Sequence, residues 1–331
     1  MPIVTSGTLR MSGINTELGR TSTAQIALDL AENGSYAAIN QNSTSRPSAT
    51  NPATMSEWYG YNHTAAPPVT TGVWTTSVAM PVANCRAGGS GTPTAFRHVG
   101  GFGGATCNFS FNGTSWTTNT ALPGAQNNLT AIGSQSSFMA ISGTDNQGTN
   151  VGVGRIWNGS SWSNTSNLVN CRILFGAAGT PSAGLAWGGA FATASEAYNG
   201  STWSARTNLT VGRCLMNGNV GSQSSALAVN TATANSCRTV EFYNGSAWSS
   251  ASQSNVGRCQ GMASGTSSGA VLFGGNVGGV IQTQSERYNG STWSVTGSLN
   301  AARCIPTGGG DATTGYAAGG SSLSSTERIS F

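Results

Sequence analysis

The chain contains no lysine, and all fourteen of its basic residues are arginine. Charged residues make up only 7% of the 331 positions, against roughly 25% in ordinary soluble domains. Such a surface must be hydrated by hydroxyls and amides. The arginines are spread along the chain and the net charge is +4, which excludes the clustered basic footprint of a nucleic-acid binder. No segment approaches ~18 consecutive apolar residues, so no membrane insertion is expected. The opening residues MPIVTSGTLRMSGINTELGR have no apolar core of the kind a secretory signal needs.

Histidine occurs twice, as His63 and His98, and the seven cysteines form no CxxC pair. An odd number of cysteines without a pairing motif reads as free thiols rather than a disulfide frame. Cys85 and Cys171 precede a recurring position, while Cys214, Cys259 and Cys304 follow it. They read as small buried residues where a ring narrows, in preference to a thiol cluster for a metal. No metal and no cofactor are expected. The ten acids are also accounted for quickly. Glu17, Asp29, Glu32 and Glu57 lie near the N-terminus, Glu196, Glu241, Glu286 and Glu327 share one repeat position, and only Asp145 and Asp311 remain, far apart. A glycosidase needs two facing carboxylates, so an enzyme is not expected, and a polysaccharide-degrading activity ranks last among the readings.

What the chain does have is glycine, at 47 positions, and a repeat. Trp74, Trp116, Trp162, Trp203, Trp248 and Trp293 recur every 41 to 46 residues. Five of them follow an aromatic and Asn-Gly, as in FNGTSW from Phe111 and YNGSTW from Tyr198 and again from Tyr288. After each tryptophan comes a basic or amide position: Arg86, Gln126, Arg172, Arg213, Arg258 or Arg303. A Gly-rich apolar run follows, then a second run that often ends in Gly-Gly, at Gly101, Gly189, Gly275 and Gly320. Each unit therefore reads as four short strands, with Asn-Gly as the bend between the third and fourth. Repeats of ~40–50 residues with four strands each predict a β-propeller. The first unit lacks a Tyr-Asn-Gly and the last lacks a Trp. STERISF (Ser325 to Phe331) aligns with SERYNGS, placing Glu327 on Glu286. The C-terminal strand is therefore expected to pair with Val73–Thr76, giving six blades and no open edge. Arg172, Arg213, Arg258 and Arg303 occur in units that carry the glutamate, and the unit with Gln126 has Arg155 in its place. This co-occurrence predicts structural charge pairs rather than a carboxylate clamp.

These units resemble the kelch repeat, which shows an arginine before the first strand, Gly-Gly ending the second, and Glu-x-Tyr then Trp on the last hairpin. The resemblance covers about Gly72 to Phe331. Departures are Gln126 and Arg155 in one unit, Phe109 at the glutamate position of another, and a shortened Tyr–Trp turn. The fold class expected is all-β: a six-bladed kelch-like propeller over residues 67–331, closed by strands from both ends.

Residues 1–66 have no repeat. Ser22 to Gln25 has the form of a capping box opening a short helix that ends near Gly34, followed by a polar loop and the aromatic segment MSEWYGY. This stretch is similar to the N-terminal region of bacteriophage tail-fibre and related virion proteins. The resemblance implies attachment to other virion proteins through residues 1–66, a location on the particle, and a propeller carried outward to a host-surface glycan. A homo-oligomer on the particle fits fibres, although no coiled-coil heptads enforce one. A decoration protein without a receptor is the alternative. Loops on a rigid scaffold are where binding residues concentrate, and the candidates are Arg86, Asp145, Asn146 and Asp311. The many Asn-x-Ser/Thr triplets, Asn199, Asn244 and Asn289 among them, read as turn chemistry.

Overall fold

The computed structural model describes residues 72–331 except 103–105, 214–216, 231–237 and 312. The expected helix and aromatic segment of residues 1–66, and Cys214, lie outside the described residues. The described part falls within one unit, Thr70–Phe331.

Every regular element among the described residues is a β-strand, and the arrangement is propeller-like. The chain enters through β1 (Val73–Ser77). A sheet of β2 (Gly88–Thr92), β3 (Ala95–Val99), β4 (Asn108–Phe111) and β5 (Trp116–Thr118) follows. Two more have the same up-and-down order. One is β6 (Thr130–Gly133), β7 (Phe138–Ile141), β8 (Gly154–Trp157) and β9 (Trp162–Thr165). The other is β10 (Gly176–Thr180), β11 (Ala183–Trp187), β12 (Ser195–Tyr198) and β13 (Trp203–Arg206).

The next four strands are β14 (Asn217–Ser222), β15 (Ser225–Val229), β16 (Val240–Tyr243) and β17 (Trp248–Ala251). They join β18 (Met262–Thr266), β19 (Gly269–Phe273), β22 (Ser285–Tyr288) and β23 (Trp293–Thr296) in one eight-stranded sheet. The join is a parallel pairing of β14 with β18. A ribbon of β20 (Asn276–Val277) and β21 (Val280–Ile281) projects between β19 and β22. The last sheet orders β24 (Thr307–Gly310), β25 (Thr314–Ala318) and β26 (Thr326–Ser330), with β1 on its outer edge. Trp74 lies opposite Ile329 in that pairing.

The aromatic pairs of the repeat bury themselves against the preceding sheet. Tyr198 and Trp203, their ring centroids 5.1 Å apart, pack with Ile132, Met139 and Ile141. Tyr243 and Trp248 pack with Leu185 and Trp187, and Tyr288 and Trp293 with Val220 and Leu227. Each such side chain contributes about 1.5–3 kcal/mol by leaving water, so the repeat phrase is an inter-sheet adhesive.

The bend between third and fourth strands is centred one residue later than the Asn-Gly signal suggests. Gly200 is left-handed at φ 93°, whereas Asn199 is not among the left-handed residues. Asn199 instead uses its side chain: Oδ1 accepts the N–H groups of Ser201 (2.9 Å) and Thr202 (2.8 Å). Asn112, Asn158, Asn244 and Asn289 accept in the same way. Four residues thus close the hairpin, with the asparagine serving as a side-chain cap.

A second set of left-handed residues has no glycine in it. Arg86, Asn128, Leu174, Gln260 and Ile305 have φ of 49° to 61°, each two residues before an inner strand. Their backbones bond from sheet to sheet: Asn128 N–H to Arg86 O (2.7 Å), Leu174 to Asn128 (3.2 Å), Arg86 to Ile305 (3.4 Å) and Ile305 to Gln260 (2.7 Å). Cooperative hydrogen bonding around the axis offsets the strain of order 1–3 kcal/mol that each such residue carries.

Candidate functional site

The repeat arginine has one duty in the four units of Arg172, Arg213, Arg258 and Arg303. It stands four residues before the inner strand and donates a side-chain N–H to the carbonyl that ends the second strand. Arg172 Nη1 donates to Gly188 O (2.9 Å) and Ala194 O (2.8 Å). Arg213 donates to Asn230 O (2.9 Å) and Thr239 O (3.0 Å). Arg258 donates to Gly274 O (3.1 Å) and Gln284 O (2.8 Å), and Arg303 to Gly319 O (2.8 Å) and Ser325 O (3.0 Å). The accepting carbonyl belongs to a left-handed residue, Gly188 at φ 71° for example, so the guanidinium fixes the sharp exit from the strand.

The other guanidinium nitrogen meets the repeat glutamate. Arg213–Glu241 and Arg258–Glu286 are both 2.7 Å apart, and Arg172–Glu196 and Arg303–Glu327 pair in the same way. All eight side chains are buried. Each carboxylate also accepts two backbone N–H groups from the linker entering its own sheet: Val169 and Asn170, Thr210 and Val211, Asn255 and Val256, or Asn300 and Ala301. Burial alone would push the Glu241 carboxyl up, but the Thr210 N–H and the Arg213 guanidinium outweigh it and hold it below the usual range. All four carboxylates have their lone pairs committed to these donors.

Two units do this differently. In the unit of β6–β9 the chemistry is reversed: Gln126 Nε2 donates to Ser142 O (2.9 Å), while its Oε1 accepts from Arg155. Burial lowers the Arg155 pKa. In the unit of β2–β5 the position four before the strand is Asn84, not Arg86. Arg86 occupies the left-handed position instead, is exposed, and lies 5.7 Å from the ring of exposed Phe102. Asn84 Nδ2 donates to Gly100 O (2.7 Å) and meets His98 Nε2 at 3.1 Å. His98 Nδ1 meets Thr307 Oγ1 at 2.9 Å, and Thr307 bonds Ala318 O (3.2 Å). Phe109, at the glutamate position, stacks on the imidazole at 6.3 Å. A neutral Asn–His–Thr chain has replaced the ion pair, and burial pulls the His98 pKa down to about 3. What all six units share is an N–H donor of the right reach, while the charge is optional.

The binding candidates do not converge. Arg86 precedes an inner strand, and Asp145 and Asn146 follow a second strand, which places them at the end of the unit that carries the staples. Asp311 follows an inner strand and so stands at the opposite, turn end. Asp145 Oδ1 accepts N–H groups from Gln147 (2.9 Å) and Thr149 (2.8 Å). Asp311 Oδ1 accepts from Thr313 N (2.7 Å) and Thr314 N (2.9 Å), which together with the Thr313 hydroxyl outweigh its partial burial and lower its pKa. Both carboxylates shape their own turns. The cysteines are not the buried residues expected: Cys171 is exposed and Cys85, Cys259 and Cys304 are half-buried. Among the described residues, no group of three or more His, Cys, Asp or Glu could hold a metal.

At the turn end the inner strands border an open cup of about 270 Å³, lined by Ser90, Thr92, Ala95, Ile132, Ser134, Ala178 and left-handed glycines. Towards the staple end the same strands border a second, much smaller space of about 10 Å³ around Met262 and Pro306, close to the least that a water needs. Among the described residues the axial space is a well that is wider at the turn end. Sequence reading missed this well and the His98 chain. The one available signal was a recurring Gly-[Ser/Thr]-x-[Ser/Thr] after the inner run, as in GTPT, GSQS and GTPS. Compared with known proteins, the chain matches no protein-family model and no curated protein.

Proposed function

We propose that this chain is a non-enzymatic virion protein, a fibre or appendage, whose propeller binds a host-surface glycan, with residues 1–66 attaching it to other virion proteins. The observation that carries the binding role is the split between scaffold and surface. The four buried glutamates are consumed by staples and the two described aspartates by their own turns, while one end presents hydroxyls and amides around a well. The virion setting rests on the likeness of residues 1–66 to tail-fibre proteins.

In the same reading the propeller has six blades and is closed. The eight-stranded sheet divides into two blades at the β14–β18 pairing, where two inner strands meet. Inner strands touch in the order β2, β6, β10, β14, β18, β24, and β24 touches β2. The β1–β26 pairing knits the two ends of the ring into one blade, which supports closure without a partner.

The test applies the full chain to host cells and to a glycan array, and locates residues 1–66 on intact particles by labelling. Adsorption inhibited by released surface polysaccharide is expected. A chain that adsorbs to no host strain, yet is found on the particle, overturns the receptor role in favour of a decoration protein. Sugar release from capsule that Asp145→Ala or Asp311→Ala abolishes would overturn the non-enzymatic reading.

A further inference from the structure

The turn after each inner strand places two oxygens side by side. Thr92 and Thr94 hydroxyls are 3.4 Å apart, Ser134 and Ser136 3.4 Å, Thr180 and Ser182 3.1 Å, Ser222 and Ser224 3.4 Å, and Thr266 and Ser268 3.2 Å. In the sixth turn the pair is the Asp311 carboxylate and the Thr313 hydroxyl, at 2.7 Å. All five hydroxyl pairs are solvent-exposed. Their spacings exceed the 2.5–3.0 Å of a good O–H···O bond. These hydroxyls are therefore weakly committed to each other and keep donor and acceptor capacity for an outside group. Contrast Ser90, whose hydroxyl is spent on Gly133 O at 2.6 Å.

The pairs stand at the turn end, around the mouth of the well. Thr92 and Ser134 line it directly, and Gly179, Gly221 and Gly310, each next to a further turn, form its wall. The turn residues themselves bring one charge to this circlet, Asp311, and it is negative. The asparagine-capped hairpins stand at the same end: Gly200 lies against Ser182 and Gly113 against Thr94. They add further hydroxyls and amides and no charge. The mouth therefore offers two adjacent hydroxyls at several bearings, a match for the adjacent hydroxyls of a sugar ring. Among the described residues the turns themselves carry no cation, and Arg97, which reaches the Ser134 turn, is buried with its Nε donated to Gln135 O at 2.6 Å. A volume of about 270 Å³ lies just below the ~300 Å³ at which drug-sized ligand sites begin, which suits one sugar ring and not a threaded chain. The wall glycines cannot widen or narrow it, since a Cβ on Gly91, Gly179 or Gly310 would come within 2.2 Å of its own turn's carbonyl.

We propose that the well at the turn end seats the terminal neutral hexose of a glycan, held by the Thr92 and Ser134 hydroxyls and those of the neighbouring turns. This rests on the glycan-binding reading above and adds the face, the subsite and the charge class. The staple end, with exposed Phe102 and Phe191, is the competing surface.

The experiment titrates the full chain with the methyl glycosides of glucose, galactose and mannose and with N-acetylneuraminic acid, followed by NMR. It compares Ser134→Arg and Thr92→Arg with Phe102→Ser and Phe191→Ser. All four positions are exposed, and circular dichroism checks each fold. The expected result is saturable binding of at least one neutral glycoside, weakened about tenfold or more by either arginine variant, as loss of one good hydrogen-bonding group requires. The phenylalanine variants should leave it unchanged. Affinity should change less than about twofold on raising salt, since no ion pair is made. Loss in the phenylalanine variants alone moves the site to the staple end, overturning the well while sparing the glycan reading. Preference for N-acetylneuraminic acid overturns the charge class. No binding of any sugar by a chain that still adsorbs to cells overturns the well alone, and failure to adsorb as well overturns both.

Discussion

Acidification should loosen this protein through one imidazole. His98 is fully buried, and both ring nitrogens are engaged: Nε2 accepts from Asn84 Nδ2 and Nδ1 faces the Thr307 hydroxyl. A second ring proton would have to replace the Asn84 contact, because that same amide group is already donating to Gly100 O. The Cys107 thiol, which Asn84 also bonds, is pushed up to about 12 by burial and is therefore neutral. The folded pKa is about 3 and the unfolded value about 6.5. The unfolded state thus binds more protons between these limits, so the stability is present above pH 6.5 and is lost as pH falls through the window. Well below pH 6.5 the slope is about 1.4 kcal/mol per pH unit, which gives a loss of about 2 kcal/mol between pH 7.5 and 5. Glutamates, with unfolded values near 4.3, contribute little above pH 5. Urea unfolding at steps from pH 7.5 to 5 measures this, with His63→Gln as the background to silence the other histidine. His98→Leu, which imitates Leu272 at the equivalent position of its sheet, should cost stability at pH 7.5 but flatten the profile. An equal slope in wild type and His98→Leu, or an imidazole resonance titrating near pH 6.5 in the folded protein, would refute the argument.

Other outcomes follow from the same geometry. Glu241→Leu strands the Arg213 charge and two linker N–H groups, and should cost about 3–5 kcal/mol in urea unfolding; a cost below 1 kcal/mol would mean the staples are dispensable. In the reversed unit, Gln126→Arg and Arg155→Glu should each destabilise alone, whereas the double variant restores a staple. The double-mutant cycle should yield a favourable coupling of about 0.5–3 kcal/mol, and additivity would contradict the shared site. Gln260→Gly relieves a non-glycine residue held at a left-handed φ of 61° and should raise stability by up to about 1 kcal/mol, seen as a higher melting temperature.

Much of this was readable from the chain because a repeat repeats its physics. The spacing of Trp203 from Tyr198 and the co-occurrence of arginine with glutamate required no coordinates, since each unit solves the same packing problem with the same residues. The first unit shows where that reasoning fails. Arg86 stood close to the repeat arginines and had the right chemistry, yet Asn84 does the stapling. An alignment by residue type follows charge, whereas the strand exit needs only an N–H donor within reach of Gly100 O. The fourth-strand bend was likewise assigned to Asn-Gly, but only glycine takes the left-handed conformation and asparagine acts through its side chain.

The sequence by itself determined the all-strand, propeller-like architecture of the described residues, the repeat that builds it, and the scarcity of charge on its surface. These are local or periodic properties, written within a few residues of where they act. Tertiary structure decided the rest. It set Thr307 against His98 across 209 positions, bonded the left-handed residues from sheet to sheet, and left a well that is wider at the turn end. Those depend on which distant residues meet, and no single repeat holds that information.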